Sequence, residues 1–279
     1  MKRPPTHVIL GEAKDLQAYR SFGLSGLRMT ILLVVLSATF VTSAFAWTSQ
    51  EILDFHKANQ NYRSGKFKEA AVLYEALSDK HQDSGVLFFD LGNCYHRLGK
   101  TGKAILSYER ARRLDPRSPD IRYNLNYVRG LLQYKIEDKR NWYLKAFEEV
   151  LNAFTEREIL LGALAIYFLL MASWAGAVFV QQGAPWGFWR KTFLTVMLVF
   201  LAVVGAKNAQ AHWLRGAIVT AREALVRYGP SESDQLAFRL GEGLKLYVMD
   251  RRDEWSRVLL TNGESGWVKN DQIEEFQIS

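Results

Sequence analysis

The sequence has a single cysteine, Cys94, in 279 residues. A lone cysteine excludes an internal disulfide framework and any zinc or iron–sulfur site that is built from several cysteines. Proline (6 residues) and glycine (20 residues) are also scarce, and 48% of the chain is hydrophobic. This composition excludes a collagen-like or disordered chain, and the length predicts one or two domains with hydrophobic cores.

Motifs of catalysis and metal binding are missing as well. None of the five histidines forms a His-x-x-x-His pair, and the sequence contains no phosphate-binding glycine loop and no Gly-x-Ser-x-Gly turn. The adjacent acidic pairs Glu148-Glu149 and Glu274-Glu275 point apart on a helix or a strand, which favours solvated faces over an acid–base couple. We therefore predict no enzymatic activity, no cofactor and no metal site.

The positive charge of the chain does not indicate nucleic-acid binding. The formal net charge is +7, and residues 1–28 contribute +3 of it, from five basic and two acidic residues. The remaining +4 is spread over residues 47–279 without a long basic run, whereas nucleic-acid binding proteins concentrate their basic residues on one surface.

An apolar run near the N-terminus has the pattern of a secretory signal peptide. Residues 31–46 are apolar or small and end in Ala44-Phe45-Ala46, which predicts cleavage before Trp47, with Arg28 as the basic flank. An uncleaved N-terminal anchor is the alternative, and it places the rest of the chain on the same side of the membrane. Residues 1–28 are longer and more polar than such a flank needs and resemble a misassigned start, with Met29 as another possible start.

Two further apolar runs predict a helical hairpin in a membrane. Residues 159–180 carry no charge over 22 positions. At about 1.5 Å per residue this run crosses a hydrocarbon layer of about 30 Å. Residues 192–206 are shorter and span a bilayer only if the Lys207 side chain reaches back to the interface or the helix continues through Asn208–Trp213. The turn between the runs ends in Arg190-Lys191, which favours a cytoplasmic turn and two soluble parts outside the cytoplasm. The alternative is one span, with the second run buried in protein.

A 34-residue repeat predicts the fold of the first soluble part. Three pairs of equal or similar positions are 34 residues apart: Gly65 and Gly99, Ala70 and Ala104, Tyr74 and Tyr108. The second unit reads Phe88-x-x-Leu91-Gly92-x-x-Tyr95, then Ala104, Tyr108 and Pro116. This pattern resembles the tetratricopeptide repeat, in which small residues allow two antiparallel helices to touch and a proline follows the second helix. We predict two repeats and a capping helix that begins at Pro119.

The resemblance to tetratricopeptide repeats implies a concave groove. The positions that line it in that family correspond here to Phe55, His56, Asn59, Tyr62, Arg63, Phe89, Asp90, Asn93, His96 and Arg97, with Tyr123, Asn124 and Tyr127 on the capping helix. Stacked asparagines and arginines beside aromatic rings could hold an extended peptide, although solvated residues of these types are also common. Cys94 falls among packed positions, which favours a buried structural thiol over a redox-active one.

The C-terminal part has the alternation of short β-strands. Residues 244–248 and 255–259 alternate between apolar and polar side chains, and Asn262-Gly263 predicts a hairpin. We expect five short strands. The glycines and Gly266-Trp267-Val268 resemble the bacterial SH3 family, which implies a small barrel with Trp267 and Val268 in its core and Trp255 half exposed. A ligand face would comprise Tyr228, Trp255 and Trp267.

These features predict a multi-domain protein with an α-helical tetratricopeptide-repeat solenoid, a transmembrane helical hairpin and a C-terminal all-β SH3-like barrel. The segments are a leader and signal peptide (1–46), repeats with a capping helix (47–135), a linker (136–158), two transmembrane helices (159–213) and a bacterial SH3-like domain (214–279).

This order, together with residues 88–129 and 154–170, resembles the E proteins of the bacterial aerotolerance (Bat) operon. The resemblance implies an envelope complex linked to oxidative stress tolerance, with membrane proteins that carry von Willebrand factor A domains and, indirectly, a MoxR-type AAA+ ATPase. We therefore expect a scaffold in the bacterial inner membrane whose two soluble domains face the periplasm and bind partner proteins. The alternatives are a cell-wall protein that holds peptidoglycan through its SH3-like domain, and a redox protein that acts through Cys94.

Overall fold

A computed structural model of the chain describes residues 47–179, 186–213 and 215–276. The predicted leader and signal peptide lies outside the described residues. The chain divides into two units, Met1–Ile52 and Leu53–Ser279. The helices of the described part are α1 (Ser49–Arg63), α2 (Phe67–Lys80), α3 (Gly85–Arg97), α4 (Thr101–Leu114), α5 (Pro119–Gly130), α6 (Trp142–Asn152), α7 (Glu156–Phe179) and α8 (Trp186–Trp213).

Helices α1 to α5 form the predicted solenoid of two helical pairs and a capping helix. Gly65 and Gly99 connect the helices of each pair with φ angles of 76° and 70°, a backbone region that glycine adopts without strain. Helix α4 ends at Leu114, directly before Asp115-Pro116. Helix α5 has Pro119 in its first turn, and the Ser118 hydroxyl accepts a hydrogen bond from the Ile121 N–H. These boundaries confirm the helix signals of the sequence.

Close packing within the second pair depends on small residues, as the repeat pattern predicts. A Cβ atom on Gly92 would lie 2.7 Å from the ring of Tyr108, so only glycine lets α3 and α4 approach this closely. Ala70 and Ala104 are completely buried, and Tyr74 and Tyr108 are the largest of the fully buried side chains. Each tyrosine fills the space that the small residues leave.

Helices α7 and α8 pack against each other as a hairpin, and Gly162 of α7 faces the ring of Phe200 in α8. Helix α7 begins with three charged residues, and α8 contains Arg190, Lys191 and Lys207. Among the residues that the structure describes, no helix combines the length and the apolar character that a membrane crossing needs. The prediction of two transmembrane helices in residues 159–213 is therefore not supported.

The C-terminal part is all-β, as predicted, and forms an antiparallel sheet with seven described strands, whereas a barrel of five strands was expected. The seven strands are β1 (Arg215–Val219), β2 (Glu223–Arg227), β3 (Leu236–Gly241), β4 (Lys245–Arg252), β5 (Trp255–Leu259), β6 (Ser265–Lys269) and β7 (Ile273–Glu275). The strand order is β3-β2-β6-β5-β4-β1-β7. The completely buried residues of its core include Val219, Val226, Leu246, Val258 and Val268.

The hairpin at Asn262-Gly263 is confirmed, but its turn differs from the tight turn that this dipeptide favours. Only Gly263 has a positive φ angle, 94°. The Gly263 N–H donates to the Leu260 carbonyl at 3.0 Å, and the Leu260 N–H donates to the Glu264 carbonyl at 2.8 Å. The loop is thus longer than two residues, with glycine at its left-handed position.

The segment after α5 packs against the sheet. Leu132 and Ile136 contact the sheet's core, and the Lys139 N–H donates to the Thr261 carbonyl at 3.3 Å. An open cleft of about 420 Å³ lies between the end of α5, this segment and residues 243–245. The region predicted as a linker therefore contains the helix α6 and residues that cover the core of the sheet.

Helix α4 also contacts the sheet. The Gly102 N–H donates to Glu242 Oε1 at 2.7 Å, and a Cβ atom at Gly102 would lie 2.5 Å from the Val219 carbonyl oxygen. Arg110 donates to Glu274 Oε1 at 3.1 Å and to the Glu275 carbonyl at 2.8 Å. The solenoid and the sheet therefore share a packed interface that involves α4.

Candidate functional site

The predicted groove residues lie on the first helix of each pair and on the capping helix. Helix α1 carries Phe55, His56, Asn59, Tyr62 and Arg63, α3 carries Phe89, Asp90, Asn93, His96 and Arg97, and α5 carries Tyr123, Asn124 and Tyr127. Contacts between α3 and α5 bring Asn93 to Asn124 and His96 to Tyr127. We call these thirteen residues the groove.

Two of the three asparagines of the groove, Asn59 and Asn93, accept equivalent hydrogen bonds from tyrosines of the solenoid. The hydroxyl of Tyr74 donates to Asn59 Oδ1 at 2.8 Å, and the hydroxyl of Tyr108 donates to Asn93 Oδ1 at 2.7 Å. Asn124 Nδ2 also donates to Asn93 Oδ1, at 3.0 Å. Because each asparagine satisfies the hydroxyl of a buried tyrosine, part of its role is to hold the framework.

Aromatic contacts repeat with the same spacing. The ring centroids of Phe55 and Tyr74 are 6.1 Å apart, and those of Phe89 and Tyr108 are 5.9 Å apart. The rings of His96 and Tyr127 are nearly perpendicular, with 5.7 Å between their centroids, and they connect α3 to α5. The ring pairs hold the aromatic residues of the groove in place.

Basic and aromatic side chains at the edge of the groove remain open to a partner. The guanidinium of Arg97 lies 4.9 Å from the ring centroid of Phe67, and Tyr62 meets the same ring with 5.3 Å between centroids. On α5, Tyr123 is 71% exposed and Tyr127 is 52% exposed. Exposed tyrosines on a rigid helix are typical of protein-binding surfaces.

The acidic residue of the groove, Asp90, has an unusual environment. Burial raises the pKa of its carboxyl to about 6, and a hydrogen bond from Asn93 acts in the opposite direction. Cys94, one turn further along α3, is fully buried. Burial, and then the nearby Asp90, raise the pKa of this thiol to about 12, so that it is uncharged at neutral pH. The buried thiol agrees with a structural role, because redox-active cysteines depend on the thiolate.

No metal site is visible in the described part of the chain. Among these residues, no three histidine, cysteine, aspartate or glutamate side chains are grouped so that they could hold a metal ion.

The predicted ligand face of the barrel is only partly exposed. Tyr228 is 69% exposed, but Trp255 and Trp267 are each 8% exposed. Val268 lies in the core, as predicted, but Trp267, although buried, is not part of that core cluster, and the expectation that Trp255 is half exposed is wrong. The reason is the register of β5 and β6, which places Lys269 opposite Trp255. The ammonium of Lys269 lies 5.9 Å from the centroid of the Trp255 indole.

Both tryptophans lie on the outer face of the sheet beneath cations. Arg257 is opposite Trp267, and residues opposite each other in antiparallel strands share a face. The Arg252 guanidinium lies 5.2 Å from the Trp267 ring centroid. Sequence reasoning missed these basic residues, although the two-residue period of each strand places Arg257 beside Trp255 and Lys269 beside Trp267. We call Trp255, Trp267, Arg252, Arg257 and Lys269 the capped tryptophan face.

Comparison with known families supports the description of the helical repeats and that of the C-terminal sheet. The family model described as TPR repeat matches residues 92–135, and the model described as bacterial SH3 domain matches residues 220–275. The chain contains a TPR repeat and a bacterial SH3 domain. The TPR match covers most of the second helical pair and the capping helix, and the SH3 match covers β2 to β7.

Solved structures of TPR proteins are similar to the chain at low identity. A tetratricopeptide repeat domain protein from Salinibacter ruber is 18% identical, with 31% of this chain and 94% of that chain covered and a TM-score of 0.29. The Yersinia enterocolitica type III secretion translocator chaperone SycD is 17% identical, with 59% and 96% covered and a TM-score of 0.29. SycD in complex with a peptide of the translocator YopD is 15% identical, with 59% and 97% covered and the same TM-score. At these TM-scores the similarities say nothing about what the chain binds. No curated protein matches the chain.

Proposed function

We propose that the protein is a non-enzymatic scaffold that holds an extended segment of a partner protein in the groove of its TPR solenoid. The observation that carries this proposal is the set of exposed side chains along the groove: Arg97 at the end of α3, and Tyr123 and Tyr127 on α5, with the ring of Tyr127 against that of His96. These side chains offer contact area and hydrogen bonds at little cost in conformational entropy.

The framework beneath these side chains is rigid, which favours binding. The Tyr74–Asn59 and Tyr108–Asn93 hydrogen bonds hold α1 and α3 to the second helix of each pair. Because the groove is already formed, the solenoid loses little conformational entropy when it binds a segment. More of the contact energy therefore remains for affinity. Arg63 and Arg97, both exposed, would offer charged hydrogen bonds to backbone carbonyls or to a carboxylate of the segment.

We further propose that the partners belong to an envelope complex of the Bat type. The support is the resemblance of residues 88–129 and 154–170 to the E proteins of that operon. It implies membrane proteins with von Willebrand factor A domains as direct partners and a MoxR-type ATPase as an indirect one. A location at the inner membrane with the domains in the periplasm stays a prediction, which rests on the apolar run at 31–46.

Affinity purification of the full chain from its own cells, in mild detergent and followed by mass spectrometry, tests this proposal. The informative variant is Tyr123→Ala with Tyr127→Ala, because both side chains are exposed and their removal leaves the core intact. The matched control is Tyr143→Ala, an equally exposed tyrosine on α6, outside the groove. We avoid Asn59→Ala and Asn93→Ala, since they would leave buried tyrosine hydroxyls without an acceptor.

We expect the wild-type chain and the Tyr143→Ala chain to recover the same partner proteins. The double variant should recover these partners in amounts lower by about tenfold or more, as for the loss of aromatic hot spots. A chain that purifies alone, or a double variant that keeps every partner, would contradict binding in the groove. Recovery of proteins without von Willebrand factor A domains would leave the scaffold intact but contradict the Bat-type complex.

A second function, binding of peptidoglycan through the SH3 domain, is favoured by the exposed Tyr228 at the end of β2 and by the exposed Arg257 of the capped tryptophan face. Purified sacculi should sediment the full chain. Tyr228→Ala with Arg257→Ala should abolish sedimentation, whereas Arg222→Ala, an exposed arginine elsewhere in the domain, should not. Trp255→Ala is unsuitable because the indole is buried. Sedimentation that the double variant retains would argue against this function.

A further inference from the structure

The open cleft between α5 and the sheet has no part in the functions proposed above. Its volume is about 420 Å³, which is within the range of pockets that hold small ligands. One wall is the end of α5 with the segment that follows it, and the other includes residues 243–245, where β4 begins. We call it the junction cleft. A molecule bound there would contact both the capping helix and the SH3 domain.

The charged residues that line the junction cleft all have the same sign. They are Arg129 near the end of α5, Lys135 in the segment after it and Lys245 at the start of β4. Among the residues that the structure describes, no aspartate or glutamate belongs to this lining. A concave surface whose charges are all positive concentrates the positive potential and attracts an anion.

The carboxylate that pairs with Arg129 does not cancel the charge of the lining. It belongs to Glu109, which is also bound by Arg112 at 2.9 Å, so that two guanidinium groups share one carboxylate. The side chain of Lys135 is exposed, and within the described part of the chain its ammonium forms no ion pair. The charge of Lys135 is therefore free to act on a ligand.

The ammonium of Lys245 is paired only weakly. It lies 3.7 Å from Glu148 Oε1, a long distance for an ion pair, whereas Arg140 approaches Oε2 of the same carboxylate to 2.6 Å. Glu148 is therefore mainly the partner of Arg140. The cations that line the junction cleft thus retain a net positive charge, which an anionic ligand would neutralise.

An apolar wall lies beside these cations. Leu132, Ile136 and Leu244 line the junction cleft, and each of them belongs to the core of the sheet or packs against it. Because core packing holds these side chains in place, the apolar wall is formed before a ligand binds. An inorganic anion would use only the cations of the cleft, whereas an anion with an apolar part would use both surfaces.

We propose that the junction cleft binds a carboxylate that is attached to an apolar group. The three cations hold the carboxylate, and the apolar wall contacts the group that carries it. Two sources offer this chemistry: a free organic acid and the C-terminal residue of a peptide. The site is separate from the groove, so it does not depend on the proposed scaffold function.

Titration of the full chain with small probes, followed by NMR of the probe, tests this inference. N-acetyl-leucine joins a carboxylate to a branched apolar group, its amide is the matched neutral compound, and inorganic phosphate is an anion without an apolar part. We expect saturable binding of N-acetyl-leucine, and binding of the other two that is weaker by about tenfold or more, since each uses only one of the two surfaces.

The peptide acetyl-alanyl-alanyl-leucine, with a free C-terminal carboxylate, distinguishes the two sources. Tighter binding of this peptide than of N-acetyl-leucine would identify the C-terminal residue of a peptide as the ligand, because the additional residues then contribute contacts. Weaker binding of the peptide would identify a free organic acid, because the additional residues then meet the walls of the cleft.

Substitutions of the lining lysines locate the bound probe. We expect N-acetyl-leucine to bind about fivefold more weakly to Lys135→Gln, whose side chain is exposed and does not support the fold. The double variant of Lys135→Gln with Lys245→Gln should bind it about tenfold more weakly or less tightly still. Lys139→Gln, an exposed lysine of the same segment outside the lining, should bind it like wild type.

The outcomes separate this site from the groove. Tyr123→Ala with Tyr127→Ala should bind N-acetyl-leucine like wild type, since neither tyrosine lines the junction cleft. Equal affinity for N-acetyl-leucine and its amide, or equal affinity of wild type and the lysine double variant, would overturn the inference. So would the absence of saturable binding for both N-acetyl-leucine and the peptide.

Discussion

Two partly or fully buried carboxylates of the solenoid, those of Asp90 and Glu109, have opposite effects on the stability of the fold. For Glu109, burial alone would raise the pKa, but Arg129, Lys245 and Arg112 outweigh it and lower the pKa to about 2. For Asp90, burial dominates and raises the pKa to about 6. A carboxylate with a lowered pKa stabilises the folded state, whereas one with a raised pKa is a net cost that function can explain.

We expect Asp90→Asn to stabilise the protein. The pKa of Asp90 is higher in the folded state than in the unfolded one, so the charged carboxylate destabilises the fold above about pH 6. This cost disappears as the pH falls from 6 toward 4. Urea unfolding should show a gain of roughly 1 kcal/mol for the variant at pH 7, after allowance for partial solvent screening, and a smaller gain at pH 4. A loss of stability at pH 7 would mean that the charge of Asp90 supports the fold.

Glu109→Gln should have the opposite effect. The substitution removes the charge of Glu109 and leaves Arg129 and Arg112 beside an uncharged amide in a fully buried site. Such a change typically lowers the free energy of unfolding by about 3 kcal/mol. Because the pKa of Glu109 is lowered to about 2, its contribution is complete above pH 4.5 and is lost as the pH falls toward 2. Urea unfolding at pH 7 measures the loss, with Glu69→Gln on the exposed side of α2 as the control. Equal stability of the two variants would contradict a stabilising ion-pair network.

The sequence predicts residue environments best where one local rule determines them. The burial of Cys94 and of the small residues Ala70 and Ala104 follows from the repeat pattern alone. The environment of Trp255 does not, because its burial depends on Lys269 in another strand. Likewise, nothing in the repeat pattern shows that Asn59 and Asn93 accept hydrogen bonds from tyrosines 15 residues further along the chain.

At the scale of elements, the glycines of the helical turns are the clearest link between sequence and structure. The 34-residue spacing of Gly65 and Gly99 predicts two equivalent turns, and both glycines have positive φ angles. The solenoid could be predicted because its contacts join neighbouring helices. The sheet was predicted less completely, since the short strands β1 and β7 pair with each other and are distant in the sequence.

Gly99→Ala tests the turn of the second TPR unit. A Cβ atom at Gly99 meets no atom within 4 Å, so any cost comes from the φ angle of 70° and not from a clash. We expect a loss of about 1 kcal/mol in the free energy of unfolding. Gly130→Ala is a suitable control, because it also meets no atom and lies at the end of a helix without a positive φ angle. If both variants lose the same stability, the left-handed turn is not the cause.

For the whole molecule, the joining of solenoid and sheet is the feature that the sequence could not reveal. The contacts of Gly102 with Glu242 and of Arg110 with Glu274 join residues 140 and 164 positions apart. No periodicity or motif encodes such distant pairs, and a chain with a TPR solenoid, a hairpin and an SH3 domain suggests separate modules. The observed interface instead couples the groove-forming solenoid to the sheet, so ligands of one domain can affect the stability of the other.

Gly102→Leu is expected to separate the two domains without unfolding either of them. The Cβ atom of any larger residue would lie 2.5 Å from the Val219 carbonyl oxygen and 2.8 Å from Glu242 Cγ. The Val219 carbonyl oxygen cannot move aside without disturbing β1, so the sheet must shift away from α4. This shift breaks the hydrogen bond between Gly102 and Glu242. Leucine is well tolerated within a helix, so α4 itself should persist.

Amide hydrogen exchange of the full chain measures this separation. We expect faster exchange in Gly102→Leu at the contacts between α4 and the sheet, at Gly102 and Gly243, while amides within α3 and within β5 keep their protection. Calorimetry should resolve two unfolding transitions in this variant and one in the wild-type chain, because the interface makes the domains unfold together. Gly130→Ala should behave like wild type. A single transition and unchanged exchange in Gly102→Leu would show that the contact between α4 and the sheet contributes little, and that the groove and the SH3 domain act independently.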